Sequence, residues 1–313
     1  MPVIANNLGS PLLAKLPRGD AIAHHGELLQ GVFEDDHGGL HRGLVTLPLN
    51  GLRSSAWIEL DAGGTLGVKP NCRVKALRAA KMTLEHLGNP NLGGRLVIET
   101  DIPVGHGYGS STADVVAAIR AVAAALGARL LASTIARLAV AAEIASDAIA
   151  FETEALLFAQ REGKVLEHFG GALPPFVLVG FKADATAGVD TLGVAPARYN
   201  SEEIQLFRVL RGMVARAVRE QDARLLGKAS TMSARISQRH LPKRHFEVVT
   251  GIADHYRACG IQVAHSGSLY GLMLDAQSAT RDSISSITTV LENAGFQDIG
   301  VFPINTEEIS YVL

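Results

Sequence analysis

The chain has 313 residues, with 29 basic and 31 acidic side chains and a formal net charge of −2. So even a balance supplies no broad electrostatic footprint for nucleic acid. Two cysteines, Cys72 and Cys259, exclude a disulfide framework and read as small core residues of a reducing compartment.

The first residues mix scattered apolar side chains with Lys15, Arg18 and Asp20, so no signal peptide is expected. Residues 1–70 read as strands and turns, with glycine pairs at 38–39 and 63–64 and strand alternation over 57–60. A helix is predicted over 74–87, stopped by Gly88 and Asn89-Pro90. A strand over 95–100 leads into a glycine-rich loop and then a helix. Ser111 is the expected N-cap of that helix, with Asp114 completing a capping box. Val115, Val116, Ile119, Val122 and Leu126 recur at helical spacing, and Gly127 ends the run. Ser133 is expected to cap the next helix. Arg137, Glu143 and Asp147 interrupt the apolar stretch 132–151, which favours a buried helix over a membrane span and makes the cytoplasm the expected compartment.

Composition shifts over 163–175, where Gly170-Gly171 and Pro174-Pro175 suggest a boundary between domains at 1–170 and 171–313. A strand over 176–181 follows, then helices over 202–220, 223–237 and 246–259. Strands over 262–265 and 269–274, a helix over 280–293 and a strand over 300–304 complete the chain. Strands and helices mix without strict βαβ alternation, so the expected class is α+β.

The loop Pro103-Val-Gly-His-Gly-Tyr-Gly-Ser-Ser-Thr-Ala-Asp114 carries most of the functional information. Gly105, Gly107 and Gly109 permit positive φ angles that turn successive N–H groups toward one point. The helix that follows adds unpaired N–H groups and the positive end of its dipole, so polyphosphate is the natural guest. Neither a Walker A tripeptide nor a Rossmann fingerprint is present, since Ser110 stands where the third glycine would be. A glycine-rich turn without a ligand is the competing reading.

The Pro-x-x-x-Gly-x-Gly-Ser-Ser-x-Ala form resembles the phosphate loop of the GHMP kinases, with Tyr108 at a position usually held by Leu. Gly26-Glu-Leu-Leu-Gln-Gly31 is similar to the family's N-terminal Gly-Glu motif, and His265-Ser-Gly-Ser268 to its C-terminal glycine motif. The wording of these segments, with Ser146-Asp147 and Val189-Asp-Thr191, resembles the threonine-kinase branch associated with propanediol utilisation and cobalamin synthesis. The resemblance implies an α+β fold of two domains, one like ribosomal protein S5 domain 2 and one ferredoxin-like. It also implies ATP and Mg²⁺ as cofactors, and a hydroxy amino acid, L-threonine first, phosphorylated on its side-chain hydroxyl. Another GHMP alcohol such as homoserine, or a sensor that binds nucleotide without turnover, stays open.

Expected nucleotide contacts are Gly105, His106, Gly107, Tyr108, Gly109, Ser110, Ser111, Thr112 and, by resemblance, Gly267. Ser111 and Glu143 are the expected Mg²⁺ ligands, as hard oxygen donors. Glu143 departs from the threonine-kinase pattern, which places its Glu three residues before the Asp, where this chain has Ile144. Asp147 reads either as general base, with burial raising its pKa, or as the cap of a helix starting at Ala148. Glu27, Gln30 and Ser266 are expected on the acceptor side, and Asp190 and Thr191 are weaker candidates. Arg42 and Arg53 are guesses for a substrate-carboxylate partner. His24 and His25 are adjacent, face opposite sides of a strand and cannot ligate one ion together.

Overall fold

The computed structural model describes residues 13–183, 198–264 and 268–306. Alternating apolar and polar residues build two long strands, β1 (Arg18–Glu34) and β2 (Leu40–Asp61), paired antiparallel from Arg18↔Trp57 to Glu34↔Leu40. Next come β3 (Leu66–Lys69), β4 (Gly93–Thr100), β5 (Glu154–Ala159), β6 (Lys164–Ala172), β7 (Phe176–Lys182), β8 (Gly260–Val263), β9 (Leu269–Asp275) and β10 (Gln297–Ile304). Their order in the sheet is β10-β7-β9-β8-β1-β2-β4-β3, and the β5–β6 hairpin branches off β2. β1 meets β8 at the single pair Glu27↔Val263.

The helices are α1 (Val74–His86), α2 (Ser110–Ala125), α3 (Ala132–Glu143), α4 (Ser201–Glu220), α5 (Ala223–Ser237), α6 (Phe246–His255) and α7 (Arg281–Asn293). α2 is apolar on every side, which is the pattern of a helix with no face in water. Every residue from Thr112 to Ile119 is buried, and the helix lies between α1, α3 and the β1–β2 sheet. Among the described residues no helix is long and apolar enough to cross a membrane.

Several local expectations change. The N-cap of α2 is Gly109 in the left-handed region, not Ser111. Asp114 makes no capping box, because its carboxylate is drawn inward to Ser54 and Arg73. Leu131 rather than Ser133 precedes α3. β5 occupies a stretch given no element and β6 one read only as a composition shift, and the boundary expected at 170/171 falls within β6. Cys259 is buried, but Cys72 is exposed, outside the expected core. α6 ends at His255, since Arg257 at φ +52 turns the chain toward β8.

Two apolar clusters fill the fold. The larger joins β1, β2 and α1–α3 to α4 and α5, and the smaller lies between β7–β9, α6 and α7. Phe181 stacks on Tyr270 in the smaller one, with ring centroids 5.7 Å apart. Phe207 of α4 docks on β1 at Gly31, where a Cβ would stand 2.5 Å from the ring. Gly31, part of the Gly-Glu motif, thus makes room for a helix. Phe207→Ala should cost about 3–5 kcal/mol and Gly31→Ala about 1–3 kcal/mol, the first by cavity and the second by overpacking. Urea melts check both, and equal midpoints with the parent would refute the docking.

Candidate functional site: a phosphate cradle with flanking carboxylates

The loop between β4 and α2 turns on three glycines, with φ of +81° at Gly105, +96° at Gly107 and +71° at Gly109. Among the described residues, nothing lies within 4 Å of where a Cβ on Gly105 would stand. Tyr108 is buried beneath the loop, edge-on to His25 at 5.5 Å and near Phe302. Burial pushes the Tyr108 hydroxyl up to about 12, so the ring serves as a neutral prop under the loop. His106 is half-buried. Ser110 and Thr112 are buried in the first turn of α2.

Glu143, the last residue of α3, reaches this turn. The Ser111 hydroxyl donates to Glu143 Oε2 at 2.7 Å, and Lys75 Nζ lies 3.7 Å from the same oxygen. Burial raises the Glu143 pKa, opposed by the Ser111 and Thr112 hydroxyls and the Lys75 charge. Ile144 follows at φ +78°, a costly angle for a β-branched residue, and its side chain is exposed. That turn swings the chain outward one residue early and leaves Glu143, not residue 144, facing Ser111.

Three residues on, Asp147 Oδ2 lies 2.9 Å from His24 Nε2, and the Asp147 side chain is 18% exposed. The segment is pinned by Ser146 N–H on the Gln160 carbonyl at 2.9 Å and Ala148 N–H on Thr46 Oγ1 at 3.2 Å. A short 3₁₀ turn, Ala148–Phe151, does start after Asp147, but the Asp147 side chain makes no cap bond to it. The carboxylate faces the loop.

His24 sits against Gly109, where a Cβ would stand 2.0 Å from its Nε2. Burial disfavours charge on the ring, and the Asp147 and Glu27 carboxylates outweigh it, raising the His24 pKa above 6.5. His25 points the other way, its Nδ1–H donating to Gln262 Oε1 at 2.7 Å. Burial lowers its pKa to about 4, so it is neutral. Glu27 is buried where β1 meets β8, and its charge raises the pKa of Lys243, which burial nevertheless holds at about 8. Gln30 N–H donates to Ser233 Oγ of α5 at 3.1 Å.

The structure thus gathers Gly105–Thr112, Glu143 and Asp147 around the entrance of α2. Arg42 lies near Tyr199, and Arg53 is exposed, its backbone N–H held by Asp101 at 2.6 Å. Asp190, Thr191, His265, Ser266 and Gly267 lie outside the described residues. Sequence reasoning passed over His24 and Lys75. The only available sign for His24 was its place two residues before a glycine that breaks the strand register.

Ionised Glu143 is disfavoured in the folded chain, while the unfolded chain ionises near 4.5. The folded state therefore holds the proton to higher pH, and stability is lost as pH climbs from that ordinary value through the raised one. Glu143→Gln removes this loss, so its stability should gain on the parent between pH 4 and pH 8. Urea melts across that range check the sign, and a growing deficit toward pH 8 would contradict it.

Residues 74–153 match the family described as GHMP kinases N terminal domain. The chain is 31% identical over 189 residues to the L-threonine kinase of Salmonella typhimurium, covering 58% of this chain and 60% of that protein. It is also 31% identical over 204 residues to the L-threonine kinase of Citrobacter freundii, covering 62% and 67%. The chain thus spans less than two thirds of the first relative's length. The crystal structure of homoserine kinase from Cytophaga hutchinsonii superposes with a TM-score of 0.62 at 13% identity, over 92% of this chain and 95% of that one, which shows the shared fold. With its N-terminal match, its kinship to threonine kinases and this α+β architecture, the chain belongs to the GHMP kinase family.

Proposed function

We propose that the chain is an ATP-dependent kinase that transfers the γ-phosphoryl group to the side-chain hydroxyl of a small hydroxy amino acid, L-threonine first, giving O-phospho-L-threonine and ADP. The observation that carries this reading is the convergence of the 105–111 glycine loop, Glu143 and Asp147 at the N-terminus of α2. Phosphoryl transfer asks a protein mainly to position its reactants and to offset developing charge, and these groups are suited to that. Backbone N–H groups of 107–111, backed by the helix dipole, receive the β- and γ-phosphate oxygens.

Ser111 and Glu143 form a hard-oxygen pair of the kind Mg²⁺ takes, one hydroxyl and one carboxylate already within 2.7 Å. Burial makes the Glu143 charge costly without a cation beside it, which fits a metal ligand. Mg²⁺ held there would neutralise charge on the β- and γ-oxygens. Asp147 faces the same entrance and takes the proton from the acceptor hydroxyl as its oxygen bonds to the γ-phosphorus. The bond from phosphorus to the β–γ bridging oxygen breaks, and ADP carries away that electron pair. Glu27 and Gln30 of β1 are assigned to the acceptor side, where the buried Glu27 carboxylate suits the substrate's ammonium group.

Asp147→Asn should lower kcat by about 10²–10⁴-fold, the usual worth of a positioned base, while leaving ATP affinity in place. Coupled ADP release across threonine, serine, homoserine, sugars and mevalonate, with calorimetry for ATP, reads both quantities. No turnover on any acceptor would overturn the kinase reading. Ser111→Ala and Glu143→Gln should each raise the Mg²⁺ concentration needed for half-maximal rate by roughly tenfold or more. An unchanged requirement would move the metal elsewhere.

A further inference from the structure

We propose that His24 is a positioning residue for phosphoryl transfer: its imidazole holds Asp147 toward the acceptor hydroxyl and seats that carboxylate against the phosphate loop. The inference rests on the kinase reading above and adds a residue that neither the glycine motifs nor the carboxylates point to.

β1 slips register between His24 and Glu27, and Gly26 takes φ +60° within the slip. The Gly26 N–H turns back and donates to His24 Nδ1 at 3.1 Å. In the neutral ring that bond leaves the proton on Nε2. A second proton would turn Nδ1 into a donor against the same N–H. His24 Nε2 lies 2.9 Å from Asp147 Oδ2 as an ion-pair contact, off the line of a hydrogen bond. Among the described residues His24 is the only partner within ion-pair or hydrogen-bond distance of the Asp147 carboxylate, on Oδ2, so Oδ1 is left for the acceptor hydroxyl.

His24 also holds the phosphate side. Its backbone N–H donates to the Tyr108 carbonyl at 3.1 Å, inside the glycine loop. Its ring lies where any Cβ on residue 109 would be, 2.0 Å from Nε2. One residue thus binds the last turn of the cradle through its backbone and Asp147 through its side chain. The imidazole stands between the Gly109 turn and the Asp147 carboxylate. A merely structural histidine would resemble His25, which spends its ring on a fully buried glutamine away from the loop. His24 instead spends it on a carboxylate that solvent reaches.

The experiment compares His24→Phe, His24→Gln and His24→Asn in the full chain with Mg-ATP and L-threonine, alone and combined with Asp147→Asn. Phe keeps a ring and loses the donor, so kcat should fall by about 10²-fold, the worth of a roughly 1 Å misplacement, with little change in KM for ATP. Gln carries an amide nitrogen close to the Nε2 position and should keep most of kcat, whereas the shorter Asn should lose it. With Asp147→Asn already in place, His24→Phe should cost no further kcat, because its effect passes through that carboxylate. ATP-linked thermal stabilisation shows which variants keep a folded cradle. If Phe does not fold, the contrast between Gln and Asn decides.

Full kcat in a folded His24→Phe, equal kcat in Gln and Asn, or an undiminished Phe effect on the Asp147→Asn background would each overturn the proposal. Unchanged turnover in Asp147→Asn alone would instead remove the base from the kinase reading, whatever the His24 variants do.

Discussion

An imidazole resting on a bare Cα holds this site together. Gly109 is both the left-handed N-cap of α2 and the floor on which His24 lies. A side chain at 109 would push the ring off Asp147 and strain the turn that aims the helix amides. Since an L-residue in that region costs roughly 1–2 kcal/mol before any clash, only glycine meets both demands. The other parts arrange themselves around this contact. Tyr108 props the loop from below, α3 brings Glu143 to Ser111, and the 144–147 turn returns Asp147 to the ring.

Carboxylates on two sides of the first turn of α2 divide the work. Asp114 accepts from Ser54 at 2.6 Å and pairs with Arg73 at 3.0 Å, joining the start of α1 to the start of α2. Burial raises its pKa, while Ser54 and Arg73 pull the other way. Glu143 has hydroxyls and only a distant, half-exposed Lys75. The first carboxylate is neutralised by the protein and reads as architecture. The second is left under-compensated beside the phosphate cradle, where an incoming cation would relieve it.

The loop was legible because its information is local: three glycines at alternate positions and a helical apolar run directly after them. Helices α4, α5 and α7 were legible for the same reason, since periodicity and capping residues lie within each segment. What escaped depends on distant partners. Ser111 reads as an N-cap until Glu143, 32 residues later, takes its hydroxyl. β5 and β6 hide because their hairpin is rich in glycine, and they are strands through pairing with each other and through β5 with β2. His24 carries no spacing signature at all. Its environment comes from β1, the loop and the 144–147 turn, which meet only in the folded chain. Ile144 likewise gave no warning of its positive φ, after which Glu143 is the residue whose side chain meets Ser111.

α2 is enclosed over much of its length, and between residues 111 and 120 only those two end positions are not buried. A helix in water has its dipole blunted by solvent and mobile ions along its flanks. Here the neighbours along residues 112–119 are mostly apolar, with the Asp114–Arg73 pair beside the first turn, so solvent ions are kept from most of that flank. An anion placed at Gly109 would therefore meet a less screened dipole than one at the end of a helix in water.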